Sequence, residues 1–117
     1  MIVTGRRVEK PWGYEEIWAE TDHYVGKILV IRAGHRLSLQ HHEIKTETIR
    51  VSKGELHLEI DDHGGELGTH LLRPGQTVHI QPGTRHRMKA ISDVELLEVS
   101  TTELDDVVRH EDDYGRT

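Results

Sequence analysis

The sequence predicts an all-β fold: short antiparallel strands closed into a sandwich or small barrel. Three observations carry that prediction. Apolar residues alternate over short runs, no run sustains a 3.6-residue period, and Gly, Pro-Gly and Asp-rich breaks punctuate the runs. The 117 residues suit one domain, 1–117, with one modest core. No linker, repeat or low-complexity segment divides them.

Taken in order, "KPWGYEE" places Trp12 as an apolar wedge, with Pro11 and Gly13 fixing the path of the chain. Trp18 is assigned to core or interface. "HYVGKILVIRAGH" reads as a strand interrupted by one charge, Lys27. "TIRVSKG", "ELHLEIDDHGG", "THLLRPG", "QTVHIQPG" and "VELLEVS" follow as further strands. Among their connections, "DDHGGELG" has the composition of a hairpin loop, and "RPG" and "QPG" that of tight turns. The acidic end "TTELDDVVRHEDDYGRT" predicts a short helical or irregular tail, with a helical turn from Glu103 to Arg109 capped by Thr101 or Thr102. An outward-facing Ile17, Leu37 and Leu39 would form an apolar patch, which argues for a homodimer.

Composition narrows the function. The formal net charge is −6 and the basic residues are scattered, so no attraction to nucleic acid or to anionic membrane is expected. No run approaches the length of a membrane span, and "MIVTGRRVEKPWGYEE" lacks the apolar centre of a signal peptide. A soluble cytoplasmic protein is therefore expected. With no cysteine, disulfides, thiolate metal sites and cysteine nucleophiles are excluded.

Ten histidines remain to be explained. His23, His63, His70 and His110 read as surface residues. The stretch "GHRLSLQHHEIKTE" is different, because strand alternation puts Arg36, Ser38, Gln40 and His42 on one side and Leu37, Leu39 and His41 on the other. Glu47 falls in register with Ile49 and Val51, which should be buried. A buried carboxylate needs a partner or a cation. "QPGTRH" then delivers His86 at the start of another strand. If the hairpins close, Gln40, His42, Glu47 and His86 meet inside the barrel and can hold one divalent ion: Zn first, with Mn, Co, Ni or Fe(II) equally compatible with the donors.

These residues resemble the two motifs of the cupins. The pattern G-x5-H-x-H-x4-E-x6-G falls on Gly34, Gln40, His42, Glu47 and Gly54, with Gln in the first His place. The pattern G-x5-P-x-G-x2-H falls on Gly75, Gln81, Gly83 and His86, with the proline moved to Pro82. The resemblance implies a double-stranded β-helix, a jelly-roll barrel.

"SLQ" followed by His42, the opening "KPWGYEE", the run "VGKILVIRAGHRLSLQ" and the tail "ELDDVVRHEDDYGR" further resemble the cupin domain of type II mannose-6-phosphate isomerases. Members of that family usually carry a GDP-mannose pyrophosphorylase domain ahead of the cupin. This sequence resembles the cupin alone, so nucleotidyl transfer is not expected of it. The family arginine associated with isomerase activity is replaced by Lys45, and its His-Trp pair by Thr48 and Ile49. Lysine keeps the charge but loses the planar two-point grip.

The resemblance implies metal-dependent aldose–ketose isomerisation of a sugar phosphate, mannose 6-phosphate to fructose 6-phosphate. Lys45, Glu98 and Lys27 are the catalytic candidates, the last two because each interrupts an apolar strand with a charge. Arg36, Ser38, Arg85, Arg109 and Arg116 are the candidates for binding the phosphorylated substrate. A non-catalytic cupin that binds a sugar or sugar nucleotide, and a metal cupin with other chemistry, are the alternatives.

Overall fold

The computed structural model describes residues 1–61 and 65–117. Among them it has strands β1 (Arg6–Lys10), β2 (Gly13–Glu20), β3 (Val25–Ile31), β4 (Leu39–His41), β5 (Glu47–Lys53), β6 (Leu56–Asp61), β7 (Leu67–Leu72), β8 (Thr77–Ile80), β9 (His86–Ala90), β10 (Val94–Ser100) and β11 (Val108–Glu111). They form two antiparallel sheets, ordered β1-β2-β3-β10-β5-β8 and β11-β4-β9-β6-β7. This is the two-sheet cupin architecture.

Alternation explains why the sheets close on each other. Ile49 and Val51 of β5, Leu56, Leu58 and Ile60 of β6, and Val94 and Leu96 of β10 all point inward. They join Leu29, Ile31, Ile80, Met88, Ala90 and Trp12 in one core cluster drawn from both sheets. Each large aliphatic or aromatic side chain so buried contributes about 1.5–3 kcal/mol. The same inward parity carries Glu47 at the start of β5 and Glu98 near the end of β10 into the interior, where both are buried.

Both Pro-Gly turns form as their composition requires. Gln76 N donates to Arg73 O at 3.0 Å with Gly75 at φ +93°, and Thr84 N donates to Gln81 O at 3.2 Å with Gly83 at φ +81°. Proline second and a left-handed glycine third is the type II arrangement. The predicted hairpin loop joins paired strands β6 and β7. Its residues 62–64, His63 among them, lie outside the described residues.

Two expectations are corrected. The tail has no helical turn at 103–109; among the described residues there is no helix at all. Residues 102–107 form successive tight turns, and Val108–Glu111 extends to pair with β4, because strand pairing with an open edge satisfies backbone groups that an isolated helical turn leaves to water. Ile17, Leu37 and Leu39 are not an outer patch: they are 5 %, 7 % and 7 % exposed within this one chain. Regular alternation does not extend back to Leu37, since β4 begins only at Leu39. Of the two places expected for Trp18, core or interface, the core is excluded: it is half exposed, its ring lying over Gly26. Among the described residues no helix is long and apolar enough to cross a membrane.

Candidate metal centre

His42 follows β4, Glu47 opens β5 and His86 opens β9 immediately after the Gln81–Thr84 turn. Two backbone contacts bring these separate pieces to one place. Gln40 sits directly opposite His86 in the β4–β9 ladder. Gly83 N donates to His42 O at 2.7 Å, tying the Pro-Gly turn to the first histidine.

The result is a three-residue cluster whose ligand atoms all lie within 4.8 Å of one another. Glu47 Oε1 is 3.2 Å from His42 Nε2 and 3.3 Å from His86 Nε2. Both histidines have their other nitrogen committed. His42 Nδ1 donates to Asp106 O at 2.6 Å and His86 Nδ1 to Thr84 O at 2.9 Å. A carbonyl oxygen can only accept, so each Nδ1 carries the hydrogen, and a ring in its neutral form turns a bare Nε2 lone pair inward.

Two imidazole lone pairs and a carboxylate oxygen then face one point. Three acceptors at that range repel unless a proton or a cation lies between them. The donor set and the fixed tautomers suit a divalent ion such as Zn, Mn, Co, Ni or Fe(II). His86 Nε2, fully buried, has no hydrogen-bond partner, which is the mark of an atom reserved for such a ligand. Gln40 lines the adjoining cavity.

Beyond the cluster runs a buried chain of alternating charges. Lys45 Nζ bridges Glu47 Oε2 at 3.0 Å and Glu98 Oε2 at 3.2 Å. Lys27 Nζ lies 3.9 Å from Glu98 Oε2 and 3.5 Å from Glu15 Oε1. The strand register builds this row: Glu98 is paired across β10–β3 with Lys27, and Ser100 of β10 with Glu47.

Burial raises the Glu47 carboxyl, but hydrogen bonding from His42, the His86 imidazole and the Lys45 charge outweigh it and hold Glu47 well below the ordinary carboxylate range. Burial also raises Glu98, the Glu47 charge adds to that, and the two lysines only partly offset it, so Glu98 binds its proton more tightly than usual. Burial lowers His42 and Lys45, yet the facing carboxylates prevail and both end above their ordinary values.

A cavity of about 100 Å³ opens onto this row, with Trp12, Leu29 and Met88 on its apolar side. The placement of each anticipated residue is now plain. His42, Glu47 and His86 converge, and Gln40, Lys45, Glu98, Lys27 and Ser38 line the same cavity, as do Arg109 and Arg116 from the tail. Arg36 and Arg85 do not line it. Arg36 lies outside any strand, so parity does not govern it, and it pairs with Asp113 at 2.6 and 2.8 Å. Arg85 donates to Gly65 O at 2.7 Å and lies 3.5 Å from Asp61. Arg116 grips Asp112 at two points, 3.0 and 2.9 Å. Arg109 donates to Thr117 O, while its Nε is buried and unpartnered. His41 faces away from the cluster and bonds His110 and Glu43.

Sequence reading missed Lys10, Glu15 and Asp106, all of which line the cavity. For Glu15 a signal existed, since it shares alternation with the buried Ile17 on β2. Asp106 had none, because its role depends on how the tail folds back.

A family model for the mannose-6-phosphate isomerase C-terminal domain matches residues 2–112. The chain is 32 % identical over 117 residues to the xanthan biosynthesis protein XanB of Xanthomonas campestris pv. campestris (strain B100), covering 96 % of this chain and 24 % of that protein. It is 33 % identical over 116 residues to the mannose-1-phosphate guanylyltransferase of Escherichia coli (strain K12), covering 95 % and 23 %. The chain thus spans about a quarter of the length of these curated relatives. Among solved structures, KdgF from Halomonas sp. superposes with a TM-score of 0.75 at 18 % identity, over 86 % of this chain and 90 % of that one. Oxalate decarboxylase from Bacillus subtilis superposes with a TM-score of 0.78 at 16 % identity, over 91 % and 30 %. At these identities the structural likeness establishes the fold.

Proposed function

The chain belongs to the mannose-6-phosphate isomerase C-terminal family, and from that premise we propose that it is a metal-dependent sugar-phosphate aldose–ketose isomerase interconverting mannose 6-phosphate and fructose 6-phosphate. One observation carries the proposal: two fixed imidazole lone pairs and a carboxylate oxygen converge on a point beside a cavity rich in charged groups. His42, Glu47 and His86, with Gln40, would hold the ion. Bound there, a divalent metal supplies Lewis-acid stabilisation of the negative charge that develops on the substrate oxygens.

The remaining steps fall to this chain's own residues. Isomerisation moves one proton from C2 to C1 of the aldose while the hydroxyl proton shifts to the old carbonyl oxygen. Glu98 is suited to carry the carbon-bound proton: it is buried, and its proton affinity is raised. Lys45 and Lys27 hold Glu98 from either side and steady its charge when it is ionised. Lys10 and Arg109, at the cavity wall, supply cations for the phosphate. Ser38, 2 % exposed, offers a hydroxyl to the sugar.

One specific observation favours a second reading. Lys45, standing where the family has arginine, is paired with both Glu47 and Glu98, which suits a cupin that binds a sugar without turning it over. Turnover of mannose 6-phosphate that is abolished by chelator and restored by Zn(II) or Co(II) supports the isomerase. Sugar-phosphate binding with no turnover under any of Zn, Mn, Co, Ni or Fe selects the binding module.

A further inference from the structure

We infer that Asp106 is a positioning residue for the metal centre, and that through it the C-terminal strap, residues 103–117, is energetically coupled to metal occupancy. The inference rests on the metal-site reading above. Asp106 makes two kinds of contact at once. Its carboxylate accepts from three consecutive backbone N–H groups: Glu43 at 3.0 Å, Ile44 at 2.7 Å and Lys45 at 2.9 Å. Its own carbonyl accepts from His42 Nδ1 at 2.6 Å.

Residues 43–45 are the link between the two ligands His42 and Glu47, and they carry Lys45. A single residue of the tail therefore clamps the loop joining the ligands and sets the tautomer and ring orientation of one of them. The three N–H groups together form an anion site for the carboxylate. Without the carboxylate, residue 106 has lost its anchor to that loop, and the carbonyl is no longer held against the imidazole.

The fold does not depend on this clamp alone. The strap is also fastened by Arg36–Asp113, by Arg87 to Glu111, and by His35–Tyr114 at 2.7 Å. Removing the Asp106 carboxylate should consequently loosen the ligand geometry while leaving the barrel folded. Coupling is reciprocal: a metal held by a correctly oriented His42 must also favour the docked strap.

The test is a titration of the metal-free protein with Co(II) alone, followed by its visible absorption and referenced to a competing chelator. Asp106→Ala should weaken Co(II) binding by about 10- to 100-fold, the range typical when a group orienting a ligand is removed. Asp113→Ala, which cuts a strap contact to Arg36 and Arg87 and touches none of the ligands, should stay within about twofold of the unmodified protein. Asp106→Asn, isosteric and still able to accept one N–H, should fall between them and serves if the alanine variant does not fold. In the unmodified protein, saturating Co(II) should slow tryptic cleavage after Arg109 by about fivefold or more. An Asp106→Ala protein that binds Co(II) as tightly as the unmodified one, or cleavage after Arg109 indifferent to Co(II), overturns the coupling and leaves the metal site standing. An unmodified protein that binds no Co(II) overturns both.

Discussion

Replacing Lys45 by methionine deletes the ammonium that bridges Glu47 and Glu98 while keeping most of the side-chain volume. The lysine is 5 % exposed and its two carboxylate partners are 3 % and 4 % exposed, so solvent screens little of the loss. Removing one member of a buried ion pair costs roughly 3–5 kcal/mol. Here the cost is reduced, because Glu98 keeps Lys27 at 3.9 Å and can take up a proton. About 2–3 kcal/mol remains. At about 4 °C per kcal/mol for a chain of this size, the metal-free variant should melt about 8–12 °C lower near pH 8.

The pH dependence is the sharper part of the prediction. Glu98 is already held above the ordinary carboxylate range by burial, and losing Lys45 raises it further. A carboxyl whose folded pKa is raised penalises the fold above that pKa. The penalty fades as pH falls toward the unfolded value, where the unfolded chain binds the same proton. Thermal unfolding followed by circular dichroism should therefore show a much smaller gap between Lys45→Met and the parent at pH 5 than at pH 8. A gap of under 3 °C at pH 8, or an equal gap at both values, would refute the buried bridge. Lys45→Arg is the companion: it should keep the stability and, on the isomerase reading, raise turnover by restoring the family residue.

Other outcomes follow from the same geometry. His86→Ala should weaken Co(II) binding at least 100-fold, measured against a chelator of known affinity, because it removes one of three converging donors. His42 has a raised folded pKa through its contact with Glu47. Its contribution to metal-free stability is present below about 6.5 and lost as pH rises through the folded value; Co(II) affinity should climb over the same window as the competing proton leaves. Gly54→Ala would set a Cβ 2.1 Å from Asp93 O at φ +83°, whereas Gly83→Ala meets nothing within 4 Å at φ +81°. Urea denaturation should accordingly give a loss of about 3 kcal/mol or more for the first and about 1–2 kcal/mol of backbone strain for the second. Arg109→Ala should raise KM for mannose 6-phosphate roughly 10- to 100-fold with Co(II) affinity unchanged, as expected for a charge-assisted contact to phosphate.

What was legible in the sequence was what alternation and turn chemistry encode locally. β5 shows this best: Glu47, Ile49 and Val51 share one parity and are all buried, so the odd carboxylate among apolar neighbours was a readable anomaly. The Lys27 and Glu98 anomalies were readable for the same reason, and the ladder sets them opposite each other. Parity misled where no strand exists. Arg36 and Leu37 precede β4, so counting back from the ligands aimed Arg36 at a cavity it does not line and put a buried leucine on the surface. The tail was illegible for another reason. "ELDDVV" has local preferences compatible with a helical turn, but its actual conformation is decided by Asp106 reaching backbone groups about 60 residues away, and no local signal reports that.

The most direct test of the central claim is anomalous diffraction from crystals of the protein loaded with Zn(II). The account predicts one strong peak about 2.0–2.2 Å from His42 Nε2, His86 Nε2 and a Glu47 carboxylate oxygen. A loaded, folded protein whose zinc lies elsewhere, with those three atoms still facing each other and no ion between them, would contradict it.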